Sequence, residues 1–353
     1  MGNSAPGTTL NMHNQILNKV EKRKYKTVAV LMGGWSAEGA VSFVSGKACA
    51  RALRECGYEV REIEVGRDLR QLIEDLGTHP DVVFNALHGK GGEDGCIQGV
   101  LDMLGLRYTH SGRTPSAIAM DKTRSKDVVK RVGVPSPEGV ILSAEDIRAG
   151  NIPFKPPYVI KPNAEGSSVG VYIVREGDNR MAEILGNWQY DDALVEKYIP
   201  GRELTVTSVS KEGQQATSLT VTEIKSHLDF YDYEAKYEDG GSSHTLPAQI
   251  PTEVFDAAMD WAAKAHDALG CDGISRSDFR YDDSQTGIQG LYYLETNTQP
   301  GMTPTSLVPE QAEYVGLSFN DLVEWMVENA LCHEEKLENP NLPDQIIHGL
   351  KAV

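Results

Sequence analysis

The sequence predicts an α/β protein that begins with a doubly wound parallel sheet and continues into a different, α+β architecture. In the N-terminal part, apolar strands alternate with helical segments; TVAVLMGG ends at Gly33-Gly34, and DVVFNAL is followed by His88-Gly89. Strands that alternate with helices indicate a parallel sheet, which binds ligands at the carboxyl ends of its strands. Further along, KPPYVIKPNAEGSSVGVYIV has the pattern of a strand, a glycine loop and a second strand, which predicts a hairpin.

Each remaining element is predicted from its periodicity and its ends. In the N-terminal part, the helix in VSFVSGKACARALRECG stops at Gly57, and a strand in YEVREIEV and a helix in DLRQLIEDLG follow. The second half contains, in chain order, a polar-faced helix in MDKTRSKDVVKRVG, strands in ALVEKYIP and RELTVTSVS, a helix in PTEVFDAAMDWAAKAHDALG, strands in GISRSDFRYD and GLYYLETN, and a helix in FNDLVEWMVENALC. A long polar segment, Glu223 to Thr245, is expected to separate RELTVTSVS from the helix after it.

Length and composition limit the class of protein. The chain has 353 residues, which favours two or three domains. It carries 34 Lys and Arg against 51 Asp and Glu, and the formal net charge of -17 would repel nucleic acid. No run approaches the ~18 apolar residues of a membrane helix, and the five cysteines are widely spaced without a C-x-x-C pair. We therefore expect a cytoplasmic protein with reduced thiols that binds neither nucleic acid nor membrane.

A candidate metal site lies on the two closing strands. Glu295 and Asn297, in YYLETN, are two residues apart and therefore share one face of a strand, and Asp278 lies on the preceding strand. Each acidic residue alone would as readily face solvent. Together, two carboxylates and one carboxamide on adjacent antiparallel strands suit a hard cation such as Mg²⁺.

A candidate phosphate site lies in KPNAEGSSVG. Its glycines allow backbone N–H groups to approach an anion, and Ser167 and Ser168 add hydroxyl donors, although the Gly-Lys-Ser/Thr ending of a P-loop is missing. Lys161, at the end of the preceding strand, and Lys122, in MDKTRSK, are candidates to neutralise phosphate. A glycine turn between strands explains the loop equally well, so the loop alone is weak evidence.

The segment EKYIPGRE is a candidate nucleotide contact. Glu196 is followed by Lys197, Tyr198 and Ile199, whose main-chain donors and acceptors suit an adenine edge, and Glu203 suits ribose hydroxyls. This interpretation depends on the phosphate and metal sites.

Seven motifs in one order connect these sites to a known family. HGKGGEDG is followed by MDKTRSK, VIKPNAEGSSVG, EKYIPGRE, FYDYEAKY, SRSDF and YYLETNTQPGMTPTSLVP. From Val28 to about Ala330 the chain resembles the D-alanine–D-alanine ligases of the ATP-grasp superfamily. The resemblance implies an ATP-grasp fold of three domains, in which the N-terminal doubly wound sheet is followed by two α+β domains that enclose ATP. The implied divisions are a flexible N-terminal extension (1–24), an N-terminal α/β domain (25–112), a central ATP-grasp domain (113–204), a C-terminal ATP-grasp catalytic domain (205–335) and a tail (336–353).

The resemblance also implies three groups of site residues. ATP would contact Lys122, Lys161, Ser168, Glu196, Lys197, Tyr198, Ile199 and Glu203. Two Mg²⁺ or Mn²⁺ ions would be held by Asp278, Glu295 and Asn297, with Glu295 bridging. The first D-alanine would lie near Glu38, His88, Ser167 and Arg276, and the second near Arg276, Gly301, Ser306 and Leu307. Lys236 and Tyr237 would belong to a mobile lid, which Glu38, Ser167 and Tyr237 hold shut by hydrogen bonds.

The implied activity is ATP-dependent formation of D-alanyl-D-alanine for peptidoglycan synthesis, through a D-alanyl phosphate intermediate. No protein nucleophile is required, because catalysis depends on positioning and on charge compensation by the metal, Lys161, Lys236 and Arg276. Arg276 and the backbone N–H of Gly301 are expected to stabilise the oxyanion of the tetrahedral species. By analogy with the family, a homodimer is expected.

The chain departs from the family pattern near the first substrate. Where the family usually has S-A-E-R-E-V-S, this chain has SAEGAVS, so Gly39 and Ala40 replace an Arg-Glu pair, and Trp35 adds bulk. Tyr237 favours the dipeptide over D-alanyl-D-lactate, again by resemblance. The alternatives are another ATP-grasp carboxylate–amine ligase, including the D-alanine–D-lactate type, a nucleotide-binding regulatory protein without turnover, and an acidic doubly wound protein with an incidental glycine loop.

Overall fold

The computed structural model describes residues 17–166, 170–178, 181–226 and 242–333, which form three β-sheets. The first sheet is parallel, with the strand order β2-β1-β3. Its elements are β1 (Thr27–Gly33), helix α1 (Gly39–Glu55), β2 (Glu59–Val65), α2 (Leu69–Leu76), β3 (Val82–Asn85) and α3 (Cys96–Met103).

Strand β1 is buried on both faces. Val28, Val30 and Met32 contribute to one apolar cluster, whereas the alternate residues Ala29 and Leu31 contribute to another. Because successive side chains of a strand point to opposite faces, apolar structure must cover both sides of the sheet. The predicted parallel sheet with covered faces is confirmed.

The second sheet is antiparallel, with the order β4-β7-β5-β6. Two helices, α4 (Arg113–Met120) and α5 (Lys122–Lys130), precede this sheet in the chain. Its strands are β4 (Gly139–Ser143), β5 (Tyr158–Lys161), β6 (Tyr172–Val174) and β7 (Asp192–Lys197). Helix α6 (Ala144–Arg148) follows β4, and α7 (Met181–Asn187) follows β6. The predicted hairpin is confirmed, since Tyr158 lies opposite Val174 in an antiparallel pair. Lys161 ends β5, as predicted.

The third sheet is also antiparallel, with the order β10-β9-β8-β11-β12. Its elements are β8 (Arg202–Val209), β9 (Thr217–Ser226), β10 (Ser242–Thr245), α8 (Thr252–Leu269), β11 (Ile274–Tyr281) and β12 (Leu291–Asn297). The buried face of α8 includes Ala258 and Ala262, which belong to the same apolar cluster as Val206 and Phe279 of the sheet. Two of its strands carry the predicted metal ligands.

The prediction of a polar connection from Glu223 to Thr245 is wrong at both ends. Its first residues complete β9, and its last residues form β10, which pairs with β9. Glu223 is buried in the strand because Arg202 donates two hydrogen bonds to its carboxylate, at 2.7 Å each. A bidentate ion pair compensates the burial of the charge, and this contact between distant residues has no local sequence signal.

The last two helices, α9 (Leu307–Tyr314) and α10 (Phe319–Glu328), return to the N-terminal sheet. Trp325 of α10 belongs to the same apolar cluster as Val30. The described start of the chain lies on α10, because the backbone N–H of Lys24 donates to Glu328 at 2.7 Å and Leu17 is buried. Within the described ranges no helix is long and apolar enough to cross a membrane.

Candidate active site

A cleft of about 810 Å³ lies between the second and third sheets. Strand ends and loops from both sheets line it, together with the N-terminal residue of α5. The lining residues are Lys122, Pro137, Val159, Lys161, Pro162, Glu165, Gly166, Val171, Glu196, Lys197, Tyr198, Ile199, Glu203, Asp278, Arg280, Leu294 and Glu295. The cleft therefore brings together every described residue that was predicted to contact ATP, and two of the three predicted metal ligands.

Four predicted residues, Ser167, Ser168, Lys236 and Tyr237, lie outside the described residues. Their roles remain predictions.

A buried cluster of two lysines and one glutamate forms one wall of the cleft. The ammonium groups of Lys161 and Lys126 both contact the carboxylate of Glu196, and all three residues are buried. Burial lowers the pKa of Lys126 to about 8. Burial also opposes ionisation of Glu196, but the two ammonium groups hold the pKa of its carboxyl below the ordinary value. Two cations around one anion leave a net positive charge, which suits a phosphate group.

Lys126 was not predicted, although a sequence signal was present. It lies four residues after Lys122 on α5, so the two side chains share one face of the helix. Lys122 donates to the backbone carbonyl of Glu165 at 2.6 Å and lies 3.1 Å from a carboxylate oxygen of Glu295. The same helix face therefore supplies one cation to Glu295, a predicted metal ligand, and one cation to Glu196.

The predicted metal ligands lie on two adjacent strands, with Asp278 in the middle of β11 and Glu295 and Asn297 near the end of β12. Asp278 lies directly opposite Glu295 in the antiparallel pairing of β11 with β12, and Arg276 lies opposite Asn297. Arg276 donates to Asp278 through Nε at 2.9 Å and through Nη2 at 2.8 Å, and the hydroxyl of Thr205 donates to it at 2.6 Å. These contacts hold the Asp278 carboxylate in one orientation.

The donor set fits Mg²⁺ or Mn²⁺. Two carboxylates and one carboxamide are hard oxygen ligands, and Mg²⁺ completes its shell with water and substrate phosphate. Among the described residues, no group of three or more His, Cys, Asp or Glu side chains is placed to hold a metal. A metal at Asp278 and Glu295 would therefore depend on the Asn297 amide and on nucleotide oxygens as well.

Arg280 organises the part of the cleft that is formed by the EKYIPGRE segment. It was not among the predicted site residues. Its guanidinium donates to the backbone carbonyls of Ile199, at 3.1 Å, and Gly201, at 2.9 Å. It also lies 3.6 Å from the carboxylate of Glu203 and 5.9 Å from the ring centroid of Tyr198. Arg280 thus holds the EKYIPGRE segment in place. Lys197 points away from this arrangement, since its ammonium lies 2.5 Å from Glu138.

The predicted site of the first substrate contains two buried carboxylates. Glu38 and Glu93 both lie beside Gly166, where an added Cβ would be 2.8 Å from Glu38 Oε2 and 3.2 Å from Glu93 Oε1. Gly89 has the positive φ of +68° and leaves space for the same Glu38 oxygen, which an added Cβ would approach to 2.7 Å. The positive φ favours glycine at Gly89, and the absence of a side chain at Gly166 leaves room for the Glu38 carboxylate.

His88 is buried next to this pair. Its Nε2 lies 3.2 Å from the hydroxyl of Ser45. Burial lowers the pKa of His88 to about 4, and Arg276 also lowers it, whereas a backbone hydrogen bond with Gln299 opposes the shift. His88 is consequently neutral at physiological pH, and the Arg276 guanidinium is close enough to affect its pKa.

Glu93 was missed by sequence reasoning, although it lies in the quoted HGKGGEDG motif. Burial and the negative charge of Glu38 raise the pKa of Glu93 to about 8, and a backbone hydrogen bond from Gly89 opposes the shift. The unfolded chain releases this proton near the ordinary value of 4.5. Folding therefore costs increasingly more free energy as the pH rises between these two values.

We expect Glu93→Gln to remove this pH dependence. Below pH 4.5 the carboxyl is protonated in both states, so the variant and the native chain should differ little in unfolding free energy. By pH 8.5 the variant should gain about 2–4 kcal/mol over the native chain. Urea unfolding at several pH values measures this difference. The exposed Glu313→Gln is the control. If the difference in unfolding free energy between Glu93→Gln and the native chain does not change with pH, the pKa of Glu93 is not raised in the folded protein.

The residues predicted for the second substrate lie together after β12. The hydroxyl of Ser306 accepts a hydrogen bond from the backbone N–H of Thr303 at 3.1 Å, and an added Cβ on Gly301 would lie 3.1 Å from the same oxygen. Leu307 is buried at the start of α9. The loop therefore presents the Gly301 backbone next to a hydroxyl and a helix N-terminus, a combination that suits a carboxylate.

The departures near Glu38 have structural consequences. An added Cβ on Gly39 would lie 3.2 Å from the carbonyl oxygen of Gly34, so a side chain there would require the backbone to shift. Trp35 is 41% exposed, and an added Cβ on Gly91 would lie only 2.2 Å from its ring. The guanidinium of Arg67 lies 5.4 Å from the Trp35 ring centroid. Trp35 is thus fixed against the loop that carries Glu93.

Family models and individual proteins match this chain over most of its length. The model described as D-ala D-ala ligase C-terminus matches residues 128–328, and the model described as D-ala D-ala ligase N-terminus matches residues 69–111. A D-alanine–D-alanine ligase of Cereibacter sphaeroides is 53% identical over 311 residues, which cover 88% of this chain and 98% of the relative. That of Granulibacter bethesdensis is 54% identical over 308 residues, which cover 87% and 98%.

Solved structures are similar over the same extent. The D-alanine–D-alanine ligase of Bacillus anthracis, complexed with ATP, has a TM-score of 0.70 and 31% identity, and the match covers 87% of this chain and 97% of that one. The VanG D-Ala:D-Ser ligase of Enterococcus faecalis has a TM-score of 0.71 and 26% identity, with 86% and 99% covered. The similarity therefore includes all three sheets.

Proposed function

The chain belongs to the D-alanine–D-alanine ligase family, and we propose that it joins two D-alanine molecules with the conversion of ATP to ADP and phosphate. Its fold is the predicted three-domain ATP-grasp fold. The observation that carries the proposal is the cleft between the second and third sheets, which is lined by Lys122, Lys161, Asp278 and Glu295. The product is a dipeptide for peptidoglycan synthesis.

Charge compensation explains how the residues of the cleft would favour the first step. The carboxylate of the first D-alanine attacks the γ-phosphorus of ATP, so two anions must approach each other. Lys161 and Lys122 are buried cations on the walls of the cleft, and Arg276 supplies a third charge near His88. Mg²⁺ or Mn²⁺, bound by Asp278, Glu295 and Asn297, would neutralise the phosphates further. The products of this step are D-alanyl phosphate and ADP.

In the second step, the amino group of the second D-alanine attacks the carbonyl carbon of D-alanyl phosphate. The tetrahedral species carries an oxyanion, for which Arg276 and the Gly301 N–H are the proposed donors. Phosphate then leaves with the C–O bond electrons, and the amine loses a proton. Ser306 is proposed to hold the carboxylate of the second D-alanine. Glu38, Ser167, Lys236 and Tyr237 are proposed to close the site, which protects the acylphosphate from water.

Substrate dependence of ADP release tests the proposed function. The chain is assayed with ATP, Mg²⁺ and either D-alanine, D-serine, D-lactate or L-alanine, and the ligated product is identified by mass spectrometry. We expect D-alanine alone to support ADP release, with one dipeptide formed per ADP. Activity only with another substrate would favour a different carboxylate–amine ligase, and ATP binding without turnover would favour a regulatory protein.

We expect Ser167→Ala to weaken D-alanine use more than ATP binding. Ser167 is proposed to face the substrate and the lid, whereas Ser168 and the backbone face phosphate. The KM for D-alanine should therefore rise about 10- to 100-fold, as for the loss of one hydrogen bond to a charged group, while the KM for ATP changes little. Ser143→Ala is the matched control, because Ser143 is an exposed serine at the end of β4 whose hydroxyl bonds locally, to Asp146. A larger effect on ATP than on D-alanine would contradict this division of roles.

Three further features of the proposal depend mainly on the family. We propose Mg²⁺ or Mn²⁺ as the metal, a homodimer as the assembly and the cytoplasm as the location. The five cysteines, all of them described, form no disulfide, which supports a reducing compartment. Light scattering of the purified chain measures the assembly directly.

A further inference from the structure

The loop after β12 is tied to the N-terminal sheet by one buried side chain. Gln299 is 1% exposed and lies two residues beyond Asn297. Its Oε1 accepts a hydrogen bond from Nδ2 of Asn85 at 2.6 Å, and its Nε2 donates to the backbone carbonyl of Leu87. Both partners lie more than 200 residues away in sequence, at the end of β3.

Asn85 organises the loop that follows β3. The residue is fully buried, and its Nδ2 also donates to the carbonyl of Gly92 at 3.0 Å. Its Oδ1 accepts from the backbone N–H of Leu87 at 3.2 Å. Since His88 follows Leu87, the Asn85 and Gln299 amides together fix the backbone on which His88 is carried.

Gln299 also contacts β12, the strand that carries the predicted metal ligands Glu295 and Asn297. Its backbone N–H donates to Oδ1 of Asn297 at 2.7 Å, and its backbone forms a hydrogen bond with His88. One residue is therefore bonded to a predicted metal ligand, to a predicted substrate residue and to the strand end between them. Hydrogen bonds of this kind orient a ligand, and their loss typically costs about 10- to 100-fold in metal affinity or activity.

We propose that Gln299 is a positioning residue for the ligation reaction, because its side chain fixes the end of β12 to the end of β3 and so sets the orientations of Asn297 and His88. This inference rests on the proposed function. Gln299 itself does not line the cleft. It acts through Asn297, whose amide oxygen must face the metal, and through His88, which must face the first D-alanine.

A purely structural role for Gln299 would predict a different response to substitution. Methionine has nearly the same length and volume, but its thioether cannot replace either amide bond. In Gln299→Met, Asn85 would lose one acceptor and Leu87 one donor, so the protein should lose stability. If Gln299 only filled space, the folded fraction would retain its metal affinity and its kinetic constants.

Gln98 offers a matched control. Its side chain is also buried, and its Nε2 donates at 2.9 Å to the same Gly92 carbonyl that Asn85 contacts. No hydrogen bond from it to the third sheet is found among the described residues. Gln98→Met therefore removes a buried amide from the same loop without breaking the link between β3 and β12.

The test compares the native chain, Gln299→Met and Gln98→Met. Mn²⁺ binding in the presence of ADP is followed by the electron paramagnetic resonance of free Mn²⁺, and steady-state rates are measured with D-alanine or ATP varied. We expect Gln299→Met to bind Mn²⁺ about 10-fold more weakly and to lose about 10- to 100-fold in kcat, with a KM for ATP within a factor of two. Gln98→Met should lower the melting temperature but leave Mn²⁺ binding unchanged.

Equal Mn²⁺ affinity in Gln299→Met and the native chain would overturn the proposal. If Gln299→Met does not fold, Gln299→Asn replaces it. Asparagine keeps a polar amide in the buried site, but its side chain is shorter by one methylene and cannot reach both Asn85 and Leu87. Unchanged Mn²⁺ binding in that variant would be equally decisive. A native chain that binds Mn²⁺ and ADP but forms no dipeptide would refute the proposed function, whereas the comparison of Mn²⁺ affinities would still test Gln299.

Discussion

Replacement of Glu295 by glutamine is expected to lower ligation by about 100-fold or more, as for other losses of a preorganised charge at a reacting centre. Glutamine has the same shape but no charge, so the site would keep its geometry and lose one of two carboxylates for the metal. Glu295 also lies 3.1 Å from Lys122, and that ion pair would be lost. Rates of ADP release at saturating substrate measure the effect, and circular dichroism shows that the variant is folded.

The control for this prediction is the exposed Glu313→Gln on α9, which should leave turnover unchanged. If Glu295→Gln ligates D-alanine at the native rate over a range of Mg²⁺ concentrations, the assignment of Glu295 to the metal is wrong. A variant that loses activity together with its folded structure would require Glu295→Asp, which keeps the charge and should recover part of the rate at high Mg²⁺.

The conservative substitution Arg276→Lys is expected to lower kcat by about 100- to 1,000-fold, because lysine keeps the charge but cannot reproduce a planar fork. The guanidinium donates to both oxygens of Asp278, at 2.9 and 2.8 Å. A lysine ammonium at this position would leave the Asp278 carboxylate less constrained and the proposed oxyanion without one donor. Both effects act on the transition state more than on binding of ATP.

Single-turnover measurements separate these two effects of Arg276→Lys. Trapping of D-alanyl phosphate reports the first step, and dipeptide formation reports the second. We expect the second step to slow at least as much as the first. The exposed Arg70→Lys at the start of α2 is the control, and native kcat in Arg276→Lys would exclude both proposed roles of the guanidinium.

The strand that carries the predicted metal ligands could be identified because two side chains with oxygen donors occur at strand spacing in YYLETN. Glu295 and Asn297 are two residues apart and therefore share one face of the strand, and Asp278 lies on the strand before it in the chain. The structure places Asp278 opposite Glu295, which follows from the antiparallel pairing of neighbouring strands. Local sequence was therefore sufficient to predict that Asp278 and Glu295 lie close together.

Lys126 and Arg280 could not be assigned because their importance comes from burial, which depends on distant partners. Lys126 lies one helical turn after Lys122, but a lysine-rich helix normally faces solvent. Here Lys126 is buried against Glu196, 70 residues away. Arg280 likewise contacts the carbonyl of Ile199, 81 residues away. The spacing of Lys126 from Lys122 indicates that the two share a helix face, but it does not indicate which distant partner that face will meet.

The polar strands β9 and β10 and the Asn85–Gln299 contact were missed for a related reason. A charged residue such as Glu223 predicts a loop unless its ion pair with Arg202 is known. Asn85 lies at the end of an apolar strand, where an amide more often begins a turn. Its role appears only when Gln299 is seen to approach it from the third sheet.

The most direct test of the proposed chemistry is a crystal structure of the chain with ATP, Mg²⁺ and D-alanine. We expect nucleotide in the cleft between the second and third sheets, with its phosphates facing Lys122 and Lys161. Oxygen atoms of Asp278, Glu295 and Asn297 should lie ~2.0–2.1 Å from Mg²⁺, the distance that this ion requires. Nucleotide bound outside the cleft, or Mg²⁺ held without these three side chains, would contradict the proposed chemistry.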